Sequence, residues 1–388
     1  MIVNRHDTVE SGGVGTPADE TELAGGILHV DLSALVDNWR MLCKHNARTE
    51  CAAVVKADAY GLGMAEVAPA LYRAGCRSFF VALPEEGARL RKICPQAVIY
   101  VLDGLLPGTA GYYHEHNLLP VLNQPAEVEE WAAFAGARQV RLPAALMVDT
   151  GMNRLGLSME EARGLAARRG WREHVALKLV MSHLACADEP GEALNMLQKE
   201  RFDEIRALFQ GVPASLANSA ATLAWPEWDY ELARPGIALY GGNPFASRAN
   251  PMKPVVSLYA RLLQVHEVRA GETVGYGASW TARRPSRIAT LAVGYADGLH
   301  RMMSAPHSGP AQVVVAGAYA PYVGRISMDL ITVDVTDIEP ARIRRGMRVE
   351  ILGAHIGVDD MAGWAGTIPY EVLTSLGGRY TRLYSPAG

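Results

Sequence analysis

Lys56 stands where a short buried strand gives way to a polar, glycine-containing turn. Residues 51–55 (Cys-Ala-Ala-Val-Val) are small or β-branched and apolar, and residues 56–63 (Lys-Ala-Asp-Ala-Tyr-Gly-Leu-Gly) predict a turn into a helix. A buried ammonium group is costly, so a lysine in this place tends to lose its proton or to form an imine with a carbonyl compound. A strand-end lysine can also keep its amine in solvent, and position alone leaves both interpretations open.

The elements that position Lys56 follow from a repeated alternation of apolar runs and helix-like stretches. After the Lys56 strand, apolar runs lie at 78–82, 97–102, 118–122, 140–148, 175–182, 214–217 and 236–240, with helix-like stretches such as 84–93 and 191–210 between most of them. Parallel strands need crossover connections of this kind. Eight such units predict an α/β fold, a (β/α)8 TIM-like barrel over residues 25–254. A doubly wound open sheet is the alternative, but no GxGxxG pattern follows the first strand.

Polar residues follow several of these strands, at the end of a barrel where chemistry belongs. Residues 149–156 (Asp-Thr-Gly-Met-Asn-Arg-Leu-Gly) follow one strand and His183 follows another. Residues 218–222 (Asn-Ser-Ala-Ala-Thr) open a helix whose free N–H groups suit a phosphate, and Arg234 precedes the run at 236–240. Each feature has a simpler interpretation: a helix cap at 218–219, a surface ion pair at Arg234, or a structural histidine at His183.

The ends of the chain differ from the middle. From 255 to 388, short runs of Val, Ile, Leu, Tyr and Arg broken by glycine predict a mainly β domain, with Tyr276 between two glycines. Residues 27–32 predict a strand, and Ser33 is a candidate cap for the helix after it. We expect residues 1–24, which carry Glu and Asp with Gly, Thr and Pro, to be a flexible tail.

Composition excludes several classes of function. The net charge of −4 points to neither nucleic acid nor an anionic membrane, and no run approaches the ~20 apolar residues that span a bilayer. No signal-peptide core is present at the start. The five cysteines, Cys43, Cys51, Cys76, Cys94 and Cys186, form no CxxC pair and no cluster with histidine, so we expect reduced thiols in a cytoplasmic protein and no metal site.

The motif at 54–63 (Val-Val-Lys-Ala-Asp-Ala-Tyr-Gly-Leu-Gly) resembles the pyridoxal phosphate (PLP) lysine motif of the alanine racemases. The likeness continues, in order and approximate spacing, from about residue 25 to the C-terminus through 149–156, 218–222, 234–241, 275–278, 324–329 and 368–371. The resemblance implies a PLP-binding barrel plus a β domain, and a head-to-tail homodimer in which the two subunits share their active sites. It also implies interconversion of L- and D-alanine, which supplies D-alanine for peptidoglycan or serves alanine catabolism.

The resemblance also implies roles for individual residues. Lys56 matches the Schiff-base lysine and Tyr276 the second acid–base residue, on the opposite face of the substrate. The matches to cofactor-binding residues are Lys56, Tyr60, His183, Asn218, Ser219, Arg234, Gly236, Ile237 and Tyr370. The matches to groups that hold the substrate carboxylate are Arg154 and Met328, the latter through its main chain. The matches to the substrate-access corridor are Asp188, Tyr295, Arg301, Arg325 and Ile368.

These residue types suit racemisation. PLP delocalises the negative charge left when the α-proton is removed, and two acid–base groups on opposite faces serve the two enantiomers. A free phenol titrates at about 10, so Tyr276 needs nearby positive charge, which His183 and Arg234 would provide. An arginine against the pyridine nitrogen keeps its proton and leaves the ring a weaker electron sink.

One position departs from the family pattern. Many members carry a carbamylated lysine two residues before the Asp-Thr-Gly-Met run, and this chain has Met147 there. A thioether carries no negative charge, so we expect another anion or a polar neighbour to orient Arg154.

Three alternatives remain at this stage. A broad-specificity amino-acid racemase of the same fold differs only in pocket volume, which the sequence does not measure. PLP decarboxylases of this design typically place an acidic residue at the pyridine nitrogen, against which Arg234 argues. PLP-carrying barrels of the cofactor-homeostasis type lack the β domain.

Overall fold

The computed structural model describes residues 20–45, 48–168, 170–245, 247–305 and 309–386. Seven parallel strands form one sheet in chain order, as the alternation of apolar runs predicts. The strands are Ala53–Val54, Ser78–Val81, Val98–Val101, Leu119–Leu122, Leu142–Met147, Val175–Met181 and Ala214–Ser215. Their side chains are almost all buried, as expected of a parallel sheet covered on both faces.

The eighth strand closes the barrel, but it lies before residues 236–240, where we predicted it. Leu232–Ala233 pairs in parallel with Glu50–Cys51, which lies directly before the first strand of the sheet. On its other side Arg234 N donates to Ala217 O at 3.0 Å. The run at 236–240 is instead a buried 3₁₀ helix, Ile237–Tyr240. A short apolar run fits a buried helical turn as well as a strand, so periodicity cannot separate the two.

Helices surround the sheet, and most follow the predicted alternation. They are Leu32–His45, Lys56–Tyr60, Met64–Ala74, Pro84–Ile93, Ala110–Glu115, Pro125–Ala137, Met159–Ala167, Ala193–Leu208 and Ser219–Ala224, with 3₁₀ turns at Gly170–Glu173 and Pro226–Trp228. Ser33 is not the cap of the first of these. The carboxylate of Asp31 accepts hydrogen bonds from the N–H groups of Ser33 and Ala34, at 2.9 and 3.0 Å, and therefore takes that role.

The last third is mainly β, as predicted. An eight-stranded sheet consists of Gly26–Asp31, Val256–Val268, Ser286–Leu291, Gln312–Val315, Ala318–Pro321, Ile331–Asp334, Arg348–Leu352 and Thr381–Ser385. A hairpin of Thr273–Val274 and Trp280–Thr281 projects from it. The short helices here are Tyr276–Ala278, Tyr295–Asp297, Arg301–Ser304, Pro340–Arg342, Val358–Ala365 and Pro369–Ser375. No helix within the described ranges is both long and apolar enough to cross a membrane.

Both ends of the described chain belong to this β sheet. Gly26–Asp31, the strand predicted at 27–32, pairs antiparallel with Val256–Val268 and parallel with Thr381–Ser385. Residues 1–19 of the expected tail lie outside the described residues, and Glu20–Leu23 forms one short helix. Arg261 donates a hydrogen bond to Thr21 O at 2.7 Å, which holds this helix against the sheet. The described part of the chain therefore begins in the β sheet, forms the barrel and returns to the same sheet.

The turn after Lys56 has an uncommon backbone. Ala57, Asp58, Ala59 and Tyr60 all have φ between 52° and 56°, so four successive residues of the predicted turn adopt the left-handed conformation. Each L-residue loses about 1–2 kcal/mol there relative to the right-handed form. The right-handed helix begins only at Met64.

The buried carboxylate of Glu86 stabilises this turn. One oxygen accepts a hydrogen bond from Ala57 N at 2.6 Å, and the other accepts from Ala82 N and Leu83 N at 2.9 and 3.2 Å. Glu86 also lies in the first turn of Pro84–Ile93, where the helix dipole favours a negative charge. Its charge-assisted hydrogen bonds join the strand end that carries Lys56 to the neighbouring strand.

We predict that Ala57→Gly leaves the thermal midpoint unchanged or raises it. Glycine adopts the left-handed conformation without the penalty of about 1–2 kcal/mol that alanine has there. Its greater freedom in the unfolded chain lowers the free energy of unfolding by about 0.4–1 kcal/mol, which is the smaller effect. Ala57→Val should lower the midpoint. The matched control is Ala133→Gly, at an exposed position of the right-handed helix Pro125–Ala137, which should destabilise. Equal losses for the two glycine variants, measured by calorimetry, would show that Ala57 carries no strain.

Candidate active site

A cavity of about 490 Å³ opens at the carboxyl ends of the barrel strands. It brings together every residue of the barrel strands and loops for which the resemblance implies contact with cofactor or substrate, apart from the access corridor. These residues are Lys56, Tyr60, Arg154, His183, Asn218, Ser219, Arg234, Gly236 and Ile237, and Tyr370 joins them from the helix Pro369–Ser375. Residues far apart in sequence therefore share one concave surface, as pockets of (β/α)8 barrels do.

Lys56 follows Val55 at the end of the first strand and is partly buried. Burial lowers the pKa of its ammonium group, the positive charge of Arg154 lowers it further, and Asp103 and Glu86 act in the opposite direction. A lysine with a lowered pKa supplies more neutral amine near pH 7, which is the form that acts as a base or nucleophile. Lys56 therefore lies in the wall of the cavity, between a buried and an exposed position.

Arg234 is buried and belongs to no ion pair among the described residues. It donates hydrogen bonds to Ser182 O at 2.6 Å and to Ser215 Oγ. Burial lowers its pKa to about 9, so it remains largely cationic at neutral pH. An uncompensated buried charge is costly. Arg234 therefore forms no surface ion pair, and that interpretation is wrong. Arg234 follows the eighth strand, rather than preceding it as we predicted, and lines the cavity.

His183 is neutral in this environment. Burial lowers the pKa of its imidazole to about 3, and the positive charges of Arg234, Arg154 and Lys56 add to the effect. The positive charge that we attributed to His183 together with Arg234 therefore resides on the arginine alone. Gln198 fixes the loop that carries His183. Its amide nitrogen Nε2 donates to His183 O at 2.9 Å, and its Oε1 accepts from Ala185 N at 2.8 Å.

Backbone N–H groups gather at one end of the cavity. Asn218 caps the helix Ser219–Ala224 by accepting a hydrogen bond from Ala221 N at 3.1 Å, so the capping interpretation holds for its side chain. Ser219 Oγ accepts hydrogen bonds from Gly236 N at 2.9 Å and Ala238 N at 3.3 Å, at the start of the 3₁₀ helix Ile237–Tyr240. Two short helices therefore direct their amino ends at the same space, which favours an anion.

Arg154 is presented by a loop that Asp149 shapes. One carboxylate oxygen of Asp149 accepts hydrogen bonds from the N–H groups of Gly151, Met152 and Asn153, at 2.8, 2.9 and 3.1 Å. Met147 is buried in the wall beside this loop, and its thioether offers no charge to Arg154.

Other predicted residues lie away from this cavity. Tyr276 is 69% exposed on its 3₁₀ helix, and Met328 is 53% exposed. Neither lines the cavity, nor do the corridor residues Asp188, Tyr295, Arg301 and Arg325. Ile368 lines an adjoining cavity of about 400 Å³ that also contacts Lys56 and Tyr60. A single chain therefore brings together only part of the predicted site.

Comparisons with known proteins identify the family. Residues 30–244 match the family described as alanine racemase, N-terminal domain, and residues 255–384 match alanine racemase, C-terminal domain. The chain belongs to the alanine racemase family.

Its relatives cover nearly the whole chain. An alanine racemase of Methylobacterium sp. (strain 4-46) is 52% identical over 360 residues, which are 93% of this chain and 98% of the relative. An alanine racemase of Rhizobium meliloti (strain 1021) is 48% identical over 370 residues, 93% and 97% of the two chains. The crystal structure of the Bartonella henselae alanine racemase with covalently bound pyridoxal phosphate superposes on this chain with a TM-score of 0.88 and is 39% identical in sequence. The match covers 93% of this chain and 100% of that chain. The crystal structure of the biosynthetic alanine racemase of Pseudomonas aeruginosa superposes with a TM-score of 0.86 and is 37% identical in sequence. The match covers 94% of this chain and 100% of that chain.

The family pattern did not point to every residue that shapes the cavity. Phe80 and Asp103 line it, and Glu86 and Gln198 support Lys56 and His183 from behind. Asp103 carries a usable sequence signal, because it is a polar residue directly after the predicted strand at 97–102. Glu86 and Gln198 sit inside helices, where a buried carboxylate or amide looks like any other polar residue.

Tyr60 and Gly236 approach so closely that only glycine fits. A Cβ on Gly236 would overlap the Tyr60 hydroxyl and lie 2.9 Å from Tyr60 Cζ. The φ of Gly236 is −121°, so the requirement is for space and not for a left-handed backbone.

We predict that Gly236→Ala destabilises the protein by about 1–3 kcal/mol, the usual cost of overpacking. Adding Tyr60→Phe should recover part of that loss, because it removes the oxygen that the new methyl group meets. The control is Gly164→Ala, in an exposed helix with no atom within 4 Å, which should be neutral or stabilising. Denaturant unfolding of all four proteins measures this, and a double variant no better than Gly236→Ala would contradict it.

Proposed function

We propose that this protein is a PLP-dependent alanine racemase, an isomerase that interconverts L- and D-alanine. The observation that carries the proposal is a lysine with a lowered pKa in the same cavity as a buried arginine and the amino ends of two short helices. Family membership over nearly the whole chain supports it.

The residues of the cavity fit PLP. The amino ends of Ser219–Ala224 and Ile237–Tyr240, with the Tyr60 and Tyr370 hydroxyls, suit the phosphate group, and Arg234 suits the ring nitrogen. Bound PLP would delocalise the negative charge on the substrate's α-carbon. Because Arg234 keeps its proton, it favours racemisation over reactions that need a stronger electron sink. This also speaks against a decarboxylase with an acidic group at that place.

The chain's own residues move the proton. Lys56 takes or returns the α-proton on one face, and its lowered pKa makes the neutral amine accessible. Tyr276 serves the other face, and Arg154 with the Met328 main chain binds the substrate carboxylate. His183 is neutral and carries no charge. The positive charge that would act on Tyr276 through hydrogen bonds is therefore that of Arg234.

The second face of the site comes from a second copy of the chain. In one chain Tyr276, Tyr295 and Met328 of the β domain are 43–69% exposed, and Ala296, next to Tyr295, is hydrogen-bonded to the Met328 carbonyl. The guanidinium group of Arg325 lies against Gly277, beside Tyr276. A homodimer that places this region of one subunit over the cavity of the other completes the site and forms the corridor that Asp188, Tyr295, Arg301, Arg325 and Ile368 line.

The same proposal places the protein in the cytoplasm, where all five free cysteines stay reduced. Its product would be D-alanine for peptidoglycan, or its role would lie in alanine catabolism. The second candidate is a racemase of broader specificity. A methylene group changes discrimination by only about 1–3 kcal/mol, so racemisation rates on serine and lysine relative to alanine decide between them.

We expect the purified protein to be yellow and to racemise alanine. Borohydride should fix the cofactor on one peptide, which contains Lys56, and Lys56→Ala should abolish racemisation together with this labelling. Lys178→Ala, at the opposite end of the barrel, is the control and should retain both. Mass spectrometry of the reduced, digested protein reads the result. A labelled peptide without Lys56 would assign the cofactor elsewhere.

We expect subunit mixing to restore activity between two inactive variants. Lys56→Ala and Tyr276→Phe chains, unfolded and refolded together at equal concentration, pair at random, so about half of the dimers are mixed. In a mixed dimer with shared sites, one site carries both substitutions and the other carries neither. About a quarter of wild-type activity should therefore return.

If both residues of a site come from one chain, every site keeps a defect and mixing restores nothing. Absence of recovery, with dimers shown by sedimentation, would contradict the shared site. Each variant refolded alone is the control.

A further inference from the structure

Two opposite charges line the active-site cavity without partners of their own. Asp103 comes from the connection after the strand Val98–Val101, and Arg154 from the loop after Leu142–Met147. Neither side chain makes a hydrogen bond or an ion pair with any residue in the described ranges. Opposite charges that share a cavity and do not pair with each other are complementary to a ligand that carries both charges.

The backbone that carries Asp103 is firmly held. Asp103 N donates to Ala82 O at 3.1 Å. The next residue, Gly104, has φ 82° and packs so tightly that a Cβ would lie 2.6 Å from Asn123 Nδ2 and from Glu127 Oε2. The carboxylate of Asp103 is therefore presented from a rigid position rather than from a loose loop, which is what a recognition group needs.

Other groups in or beside the cavity cannot supply this negative charge. The Asp149 carboxylate already accepts three backbone hydrogen bonds, and the Glu86 carboxylate is buried and holds the turn after Lys56. Met147 is neutral. Among the described residues that line the cavity, Asp103 is thus the carboxylate that remains for a ligand.

Asp103 and Arg154 both act on Lys56. Burial is the main reason that the pKa of Lys56 is lowered; Arg154 lowers it further, and Asp103 raises it. Both charges are therefore close enough to influence the lysine, whose amine the amino group of a substrate must approach.

We infer that Asp103 binds the α-ammonium group of the incoming amino acid while Arg154 binds its carboxylate. This inference rests on the proposed racemase function and assigns a binding group that the family resemblance did not supply. The pair selects a dipolar ion, and it orders the substrate with its amino group towards Lys56. A neutral residue at 103 leaves an ammonium ion without a counter-charge in a cavity that also holds the positive charges of Arg154 and Arg234.

The test uses analogues that carry one charge each on the holoenzyme. Trimethylammonium has the positive charge and cannot form an imine, whereas propionate has only the carboxylate. For Asp103→Asn, the inhibition constant of trimethylammonium and the KM of both alanine enantiomers should rise about tenfold or more, as for loss of a charge-assisted hydrogen bond. Propionate should bind as well as before or better. Calorimetric titration gives the same affinities without relying on turnover.

Two further variants serve as controls. Glu115→Gln removes an exposed carboxylate from the same connection, outside the cavity, and should match the parent protein. Asp103→Glu keeps the charge and should retain most of the trimethylammonium affinity. An unchanged affinity for trimethylammonium in Asp103→Asn would overturn the inference, and so would an equal loss for both analogues, which would assign Asp103 a structural role.

A measurement on the unaltered protein keeps the inference testable if the variants do not fold. Trimethylammonium and propionate should bind together, since they occupy different subsites, and their joint inhibition should be that of non-exclusive ligands. Mutual exclusion would overturn the inference. Failure of the unaltered protein to racemise alanine would refute the proposed function instead, while the calorimetric affinities would still report on Asp103.

Discussion

The carboxylate of Glu86 stabilises the turn on which the rest of the site depends. Four successive left-handed residues follow Lys56, and such a turn does not persist on its own. Glu86 binds the first N–H group of this turn and two N–H groups at the end of the neighbouring strand, from a buried position at the amino end of a helix. The strain is thus offset by charge-assisted hydrogen bonds, which hold the backbone that carries Lys56.

The electrostatics of the cavity follow from burial more than from pairing. Arg234 has no carboxylate partner among the described residues, and its cation is held by a carbonyl and a hydroxyl group. Burial lowers the pKa of His183, the positive charges of Arg234, Arg154 and Lys56 lower it further, and the imidazole is neutral as a result. A cavity of this kind attracts anions strongly, so a phosphate and a substrate carboxylate both fit it. Asp103 adds a negative charge to this otherwise positive cavity, so a ligand with both charges binds in one preferred orientation.

The β region has two roles. Its sheet contains both the strand Gly26–Asp31 and the strand Thr381–Ser385, so the barrel is built between two stretches of chain that lie side by side. It also contributes Tyr370, whose ring lies 6.0 Å from that of Tyr60 and closes one side of the cavity. At the same time it leaves Tyr276 and Met328 exposed, and this exposed surface is what a second subunit would cover.

The sequence by itself determined the alternation of strands and helices and the family motif. Buried parallel strands need continuous apolar runs, and their carboxyl ends meet at one edge, so polar residues after those runs had to gather. Tertiary structure decided the rest. The run Ile237–Tyr240 is apolar on every side and became a 3₁₀ helix, because the pairing with Glu50–Cys51 was already made by Leu232–Ala233. The left-handed turn at Ala57–Tyr60, the neutral state of His183 and the unpaired charges of Asp103 and Arg154 depend on neighbours distant in sequence, and no local pattern encodes them.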